Sequence, residues 1–183
     1  MLKTDLSTYS IGDYRPGPRI KVLFWYPVNY FIFFSSFPFP SAFKVFLLRL
    51  FGAKVGSGVV LKQHIRIKNP WRLIIGNNSW IGEGVWIDNI ENVFIGNNVC
   101  LSQNAILLTG NHDYSKTNFS PRYGKINLED GVWICANAIV CSGVVCKSHS
   151  VLTVNSVATG DLDEMKIYSG NPAVFVRERR IHE

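Results

Sequence analysis

Residues 75–107 read IGNNSWIGEGVWIDNIENVFIGNNVCLSQNAIL, and two spacings in this stretch decide the fold. IGNN starts at Ile75 and again at Ile95, a period of twenty, and VGSG at Val55 stands one period earlier. Inside each unit an aliphatic residue recurs every six: Val55, Leu61 and Ile67, then Ile75, Ile81 and Ile87, then Ile95, Leu101 and Leu107. After an interruption the series resumes at Leu128, Ile134, Val140, Cys146, Leu152 and Ala158. A period of six fits neither an α-helix nor a lone strand. It fits a short strand, a turn and another short strand, so that three rungs close one coil of a triangular prism. Stacked coils then place aliphatic upon aliphatic. Small or branched residues four places later (Val59, Ser79, Val85, Val99, Ala105, Val132, Ala138, Val144, Ser156) fill the remaining interior. Gly76-Asn77-Asn78, Gly82 and Gly96-Asn97-Asn98 supply residue types that tolerate the positive φ of a sharp corner. Residues 69–74 and 89–94 exceed the hexads and are expected to bulge at a corner. An ordinary sandwich would instead show alternating strands at irregular spacing.

The expected fold is mainly β: a parallel β-helix of about five coils over residues 55–163. A stacked coil leaves open strand edges at both ends, and such edges need covers. Residues 1–54 are read as an apolar, helical N-terminal cap, and residues 164–183 as a short C-terminal cap with a basic tail. Val174 and Val176 suit a strand or helix packed back on the prism. The chain has 183 residues, of which 47% are hydrophobic and 17% charged, which suits one globular domain. Residues 23–39, LFWYPVNYFIFFSSFPF, are short for a bilayer span. They read as a packed helical element, with Trp25, Tyr26 and Tyr30 suited to a shallow interfacial contact. The net charge of +6 invites anionic partners, but no run of Lys and Arg reaches five, which argues against nucleic acid. Cys100, Cys135, Cys141 and Cys146 form no CxxC pair and are expected as free thiols of a cytoplasmic protein.

The one interruption, residues 109–127, reads TGNHDYSKTNFSPRYGKIN and is expected as a loop thrown out of the rigid prism. Such loops tend to carry function. This one holds His112 between Asn111 and Asp113. The bland reading is a solvated histidine; its place in the sole insertion favours a working one. A neutral imidazole is the side chain best poised to take a proton near pH 7. The other histidines, His64, His149 and His182, make no HxxxxH pair with it, and no metal site is expected. An ice-binding coil would need a flat threonine array, which the sequence lacks.

The segments LLRLFGAKVG, NPWRLIIGNNSWIGEGVWIDN, IGNNVCLSQNAILLTGNHDYS and YSGNPAVFVRER resemble the left-handed β-helix acetyltransferases, whose repeat is [LIV]-[GAED]-x-x-[STAV]-x. The likeness runs from Val55 to Arg177. Within that superfamily it points to the WcaF-like colanic acid acetyltransferases. The resemblance implies a left-handed coil and a homotrimer with sites in the grooves between prisms. It implies acetyl-CoA as co-substrate, a sugar acceptor in exopolysaccharide or surface-glycan synthesis, and His112 as general base. Acceptor contacts would come from Asp88, Asn89, Asn111, Asp113 and Tyr114, with Tyr114 and Trp86 able to stack on a sugar face. CoA contacts would come from Trp133, Ala136, Val154, Thr159, Arg177 and Arg180. The chain departs from its relatives at Gly82, where some carry asparagine. It also has Val154-Asn155-Ser156 in place of Ala-Gly-Ser, and Thr159-Gly160 in place of Thr-Lys, which removes one phosphate partner. A non-catalytic trimeric scaffold, or a membrane-docking module using residues 23–39, is the alternative on the same fold. Either location, free in the cytoplasm or peripheral at the inner membrane face, fits the sequence.

Overall fold

The computed structural model describes residues 2–12 and 14–183. Three parallel sheets form the walls of a prism. Face one stacks Lys54–Val55, Leu73–Ile75, Val93–Ile95, Ile126–Leu128 and Val145–Cys146. Face two stacks Val60–Leu61, Trp80–Ile81, Cys100–Leu101, Trp133–Ile134 and Val151–Leu152. Face three stacks Arg66–Ile67, Trp86–Asp88, Ile106–Leu108, Ile139–Val140 and Val157–Ala158. These make five complete coils, and Leu162, bridged to Cys146, opens a sixth.

The expected columns form in register. Val55, Ile75, Ile95, Leu128 and Cys146 stack on face one. Leu61, Ile81, Leu101, Ile134 and Leu152 stack on face two, with Tyr168 above them. Ile67, Ile87, Leu107, Val140 and Ala158 stack on face three. All are buried, as are the small residues four places on. Each large aliphatic contributes roughly 1.5–3 kcal/mol by leaving water, so the strict period is the fold's main support. Cys146 takes an aliphatic place in this core, and burial pushes its thiol far above the usual range. Burial also raises the Cys135 thiol to about 11. All four cysteines are free.

The corners divide their work differently from the expectation. Positive φ falls on the last residue of each IGNN, Asn78 (56°) and Asn98 (54°), and on Asn104, Asn137 and Asn155. Gly76, Gly82 and Gly96 do not need it; they need room. A Cβ on Gly76 would lie 2.6 Å from the Gly96 carbonyl carbon and oxygen of the next coil. Between them, Asn77 and Asn97 tie coils together: the Ser57 amide donates to Asn77 Oδ1 (2.9 Å), the Asn77 amide to Asn97 Oδ1 (2.8 Å), and the Asn97 amide to Asp130 Oδ1 (2.7 Å). Of the expected corner bulges, the first contains a 3-10 turn, Pro70–Arg72.

Two helices cover the lower end. Helix α1 (Arg19–Val28) runs into a π-helical turn, Asn29–Phe33, and α2 (Ser41–Leu50) follows. Together they bond the open edge of the first coil on every face. Arg49 donates from Nε and Nη2 to the Val55 carbonyl (3.1 and 2.7 Å). Ser41 Oγ accepts from the Leu61 amide (3.0 Å), and Lys44 Nζ donates to the Lys62 carbonyl (2.5 Å). Trp25 Nε1 donates to the Ile67 carbonyl (2.7 Å). Lys44 is buried, and desolvation holds its ammonium pKa below the ordinary lysine value.

At the upper end, Lys166–Gly170 adds to face two beside Val151–Leu152 and pairs antiparallel with Ala173–Glu178. The expected C-terminal strand therefore forms, but as the outermost one. Val174 and Val176 are not packed back on the prism; both stay more than half exposed.

Candidate active site

The insertion after face three is an arm rather than an irregular loop. Gly110–His112 pairs antiparallel with Pro121–Tyr123, setting His112 opposite Pro121. Its tip is tied by an Asp-Ser turn, in which Asp113 Oδ1 accepts from the Ser115 amide (3.1 Å) and hydroxyl (2.5 Å). Those bonds hold the Asp113 carboxyl below its usual pKa. Phe119 adopts a left-handed φ of 48°, and its carbonyl meets the imidazole of His112. The Nδ1–O distance is 2.9 Å. A backbone carbonyl can only accept, so Nδ1 carries the proton and Nε2 keeps a free lone pair. The His112 amide donates to Asn111 Oδ1 (2.7 Å).

A cavity of about 330 Å³ opens at this histidine. Its walls come from three places: Asn111, His112 and Tyr123 on the arm, Lys68, Asp88 and Ile90 at the edge between faces three and one, and Tyr9, Ile11 and Tyr14 on the N-terminal arm. The N-terminal arm is held across the site by the Asp5 amide bonding to the Thr117 carbonyl (2.8 Å). Tyr9 and His112 rings lie 5.9 Å apart, and Tyr14 meets Tyr123 at 6.1 Å. Lys68 Nζ pairs with Asp88 Oδ1 at 2.8 Å, so a cation and a carboxylate face the cavity together. The arrangement offers a lone pair, hydrogen-bonding groups of both kinds and aromatic faces in one space, a combination suited to a polyhydroxylated acceptor.

Of the residues expected at the acceptor, Asp88 and Asn111 line this cavity with His112. Asn89 does not. It is fully buried, and its amide is consumed by the coil below: Asn89 Nδ2 donates to the Asn69 carbonyl (2.7 Å), Asn89 Oδ1 accepts from the Asn69 amide (2.9 Å), and Asn69 Nδ2 donates to the Asn89 carbonyl (2.9 Å). Thr109 continues that polar stack one coil higher, donating to the Asp88 carbonyl (2.9 Å). Asp113 is turned toward Ser115, and Tyr114 is 84% exposed at the arm's tip; neither lines the cavity. Trp86 borders a second cavity of about 200 Å³ that shares Lys68 and Asp88 with the first. Gly82 has no room for a side chain, since a Cβ would lie 2.7 Å from the Leu101 carbonyl oxygen. Sequence reasoning missed Tyr9, Tyr14 and Lys68.

The residues expected at CoA fall into separate groups. Ala136 and Val154 sit one above the other at the edge between faces two and three, where the Asn155 amide bonds to the Ala136 carbonyl (3.1 Å). Trp133 is exposed on face two, its indole N–H bonded to Ser102 Oγ (2.9 Å). Arg177 lies on the same face, past Val151 and Ile167. Thr159 begins the next edge and is not part of the Ala136–Val154 stack. Arg180 is exposed beyond the last strand, while Arg179 is committed to the Gly131 and His149 carbonyls (3.0 and 2.9 Å). No group of three or more His, Cys, Asp and Glu side chains able to hold a metal occurs among the described residues.

No family model matches the chain. Solved structures match its fold closely. A hexapeptide-repeat acetyltransferase of Vibrio cholerae O1 biovar eltor, complexed with acetyl-CoA, superposes with a TM-score of 0.81 at 20% identity, over 89% of each chain. A galactoside acetyltransferase in complex with CoA gives 0.80 at 22% identity, over 92% of this chain and 85% of the other. The prism is thus the left-handed β-helix of the hexapeptide-repeat acetyltransferases. In sequence, an Escherichia coli K12 protein provisionally named as a colanic acid biosynthesis acetyltransferase, WcaF, is 34% identical over 176 residues, covering 96% of this chain and 97% of the relative. The chain belongs to this WcaF-like family of hexapeptide-repeat acetyltransferases.

Proposed function

We propose that the protein moves the acetyl group of acetyl-CoA to a sugar hydroxyl in the making of an exopolysaccharide or surface glycan. His112 is the general base. The observation that carries this reading is the bond from His112 Nδ1 to the Phe119 carbonyl, which leaves Nε2 free on a ring that lines the cavity. The acceptor hydroxyl gives its proton to Nε2 as its oxygen attacks the thioester carbonyl carbon. The tetrahedral intermediate then collapses, the C–S bond breaks, and the proton passes from Nε2 to the departing thiolate. Asp88, Lys68 and Asn111 orient the sugar by hydrogen bonds, and the tyrosines offer it a face. Holding both substrates beside one base supplies the proximity term.

The donor is proposed to lie along Ala136 and Val154, with Trp133, Thr159, Arg177 and Arg180 toward its pantetheine and phosphates. The arm leaves one edge of the prism, and the Ala136–Val154 stack occupies another. A thioester on that stack therefore meets the His112 of a neighbouring copy more readily than its own. This supports a homotrimer, a closed ring of three identical contacts. The working location is the cytoplasm, either free or peripheral at the inner face of the membrane.

Thiol release from acetyl-CoA, measured with a panel of glycans, tests this function. Release that disappears in His112→Ala while acetyl-CoA binding persists is the expected result. Release that survives His112→Ala sinks the assignment of the base. Absence of both binding and release favours a non-catalytic scaffold.

A further inference from the structure

A helix that caps a solenoid normally buries one stripe and shows water a polar one. Here both stripes are apolar. Trp25, Val45 and Leu48 face the prism. On the other side of α1 and the turn after it, Ile20, Leu23, Phe24 and Phe31 recur at helical spacing and are 60–72% exposed. On α2, Phe46 (58%) and Leu50 (65%) do the same. Both helices bond the edge of the first coil through their inner side, so these outer stripes look away from the prism. Contiguous apolar surface of this kind marks a contact site.

Charge identifies what covers it. From residue 14 to residue 82 the chain holds ten Lys and Arg and no Asp or Glu, although the whole chain is only +6. Arg19 and Lys21 on α1, and Lys54 after α2, are exposed beside the apolar stripes. A second copy would bring the same cations and repel. An anionic lipid surface would neutralise them while its acyl boundary receives the Phe and Leu side chains. Each helix has ten residues, about 15 Å long, which permits a shallow seat and not a span. No helix among the described residues is long and apolar enough to cross a membrane.

We propose that the N-terminal cap is a docking face for an anionic lipid bilayer. The proposal narrows the location given above to the membrane face; it does not depend on the acetyl-transfer step. The second cavity connects this face to the site, since its walls run from Tyr26 on α1, past Arg66, to the Lys68 and Asp88 that also border the His112 cavity. An acceptor held at the bilayer surface would thus meet a cavity that adjoins the one at His112, with the Lys68–Asp88 pair as their shared wall.

Co-sedimentation of the full chain with vesicles tests the idea. Phosphatidylcholine vesicles are compared with phosphatidylcholine mixed with phosphatidylglycerol, at low and high salt. The protein is expected to pellet with the mixed vesicles, and less so as salt rises. Phe24→Ser/Phe46→Ser and Arg19→Glu/Lys21→Glu should each reduce the bound fraction about tenfold. Their thermal unfolding and acetyl-CoA binding should stay unchanged, because all four side chains are exposed and none lines the His112 cavity. Acetyl-CoA binding in the same samples reports separately on the proposed function. Protein that stays in the supernatant with both vesicle types overturns the proposal. So does equal binding to both types with no effect of the charge reversal. Vesicle-independent self-association that Phe24→Ser/Phe46→Ser dissolves also overturns it, and would assign the face to a second copy.

Discussion

His112 donates from Nδ1 to the Phe119 carbonyl across 2.9 Å, and Phe119 can present that carbonyl because its backbone is left-handed, with φ at 48°. One bond fixes both the tautomer and the aim of the ring. The arm is thus more than a carrier for a histidine; its turn chooses which nitrogen is basic.

Phe119→Pro should therefore act through His112. Proline locks φ near −65° and swings the carbonyl away. We expect kcat to fall about tenfold to a hundredfold with KM for acetyl-CoA unchanged, against about a hundredfold to ten-thousandfold for His112→Ala. Steady-state thiol release by both variants checks the order. A Phe119→Pro enzyme as active as the parent would show that the ring is held by something else.

Asn89 should behave as a structural residue. Asn89→Ala removes bonds made in a buried stack and leaves Asn69 groups unpaired. The expected loss is about 1–3 kcal/mol of stability. Chemical denaturation reads it, and acceptor KM of the folded enzyme should not move. A raised KM with unchanged stability would return Asn89 to the acceptor.

The glycines of the repeat divide by space. Gly76→Ala forces a Cβ against the Gly96 backbone and should cost roughly 1–3 kcal/mol. Gly160→Ala meets nothing within 4 Å and should stay within about 0.5 kcal/mol of the parent. Equal unfolding midpoints would contradict the close approach of the coils.

Asp163 ties the last coil to the C-terminal strands. Lys147 and Lys166 bond its carboxylate (2.9 and 3.1 Å) and hold its pKa at about 2, against an ordinary 3.8. A carboxyl depressed by folding stabilises fully above the ordinary value and loses that contribution as pH falls through the depressed one. Hydrogen exchange in residues 166–178 should thus be protected at pH 5 and should open as the pH approaches about 2, relative to Asp163→Asn, which should lack this step. Parallel behaviour of the two proteins would remove Asp163 from that role.

The column was legible because every coil imposes the same demand on the same position, so Val55, Ile75 and Ile95 repeat the signal until it stands out. Asn89 misled for the opposite reason. Beside Asp88 it looked like half of a polar pair, yet Asn69 and Thr109 stand one period of twenty before and after it, the same spacing that marked the aliphatics. Read vertically, the three form a column of their own. Tyr9 and Tyr14 left no such trace. They reach the cavity because the N-terminal arm is pinned to Thr117, far away in the chain, and no local pattern encodes a contact of that kind. The exposed stripes of α1 and α2 were visible only as an apolar run; knowing which side chains faced inward required the helices to be seated on the first coil.

Val93 and Ile126 touch as directly as Leu73 and Val93 do, although the whole arm separates the first pair. The wall closes behind the detour and keeps no memory of its length. Reach and lining can therefore drift between relatives, residue by residue, at no expense to the scaffold. An engineer wishing to redirect this enzyme toward a different acceptor has a natural splice point between Thr109 and Ile126, where a foreign segment can be exchanged and the buried stack, Thr109 included, left intact.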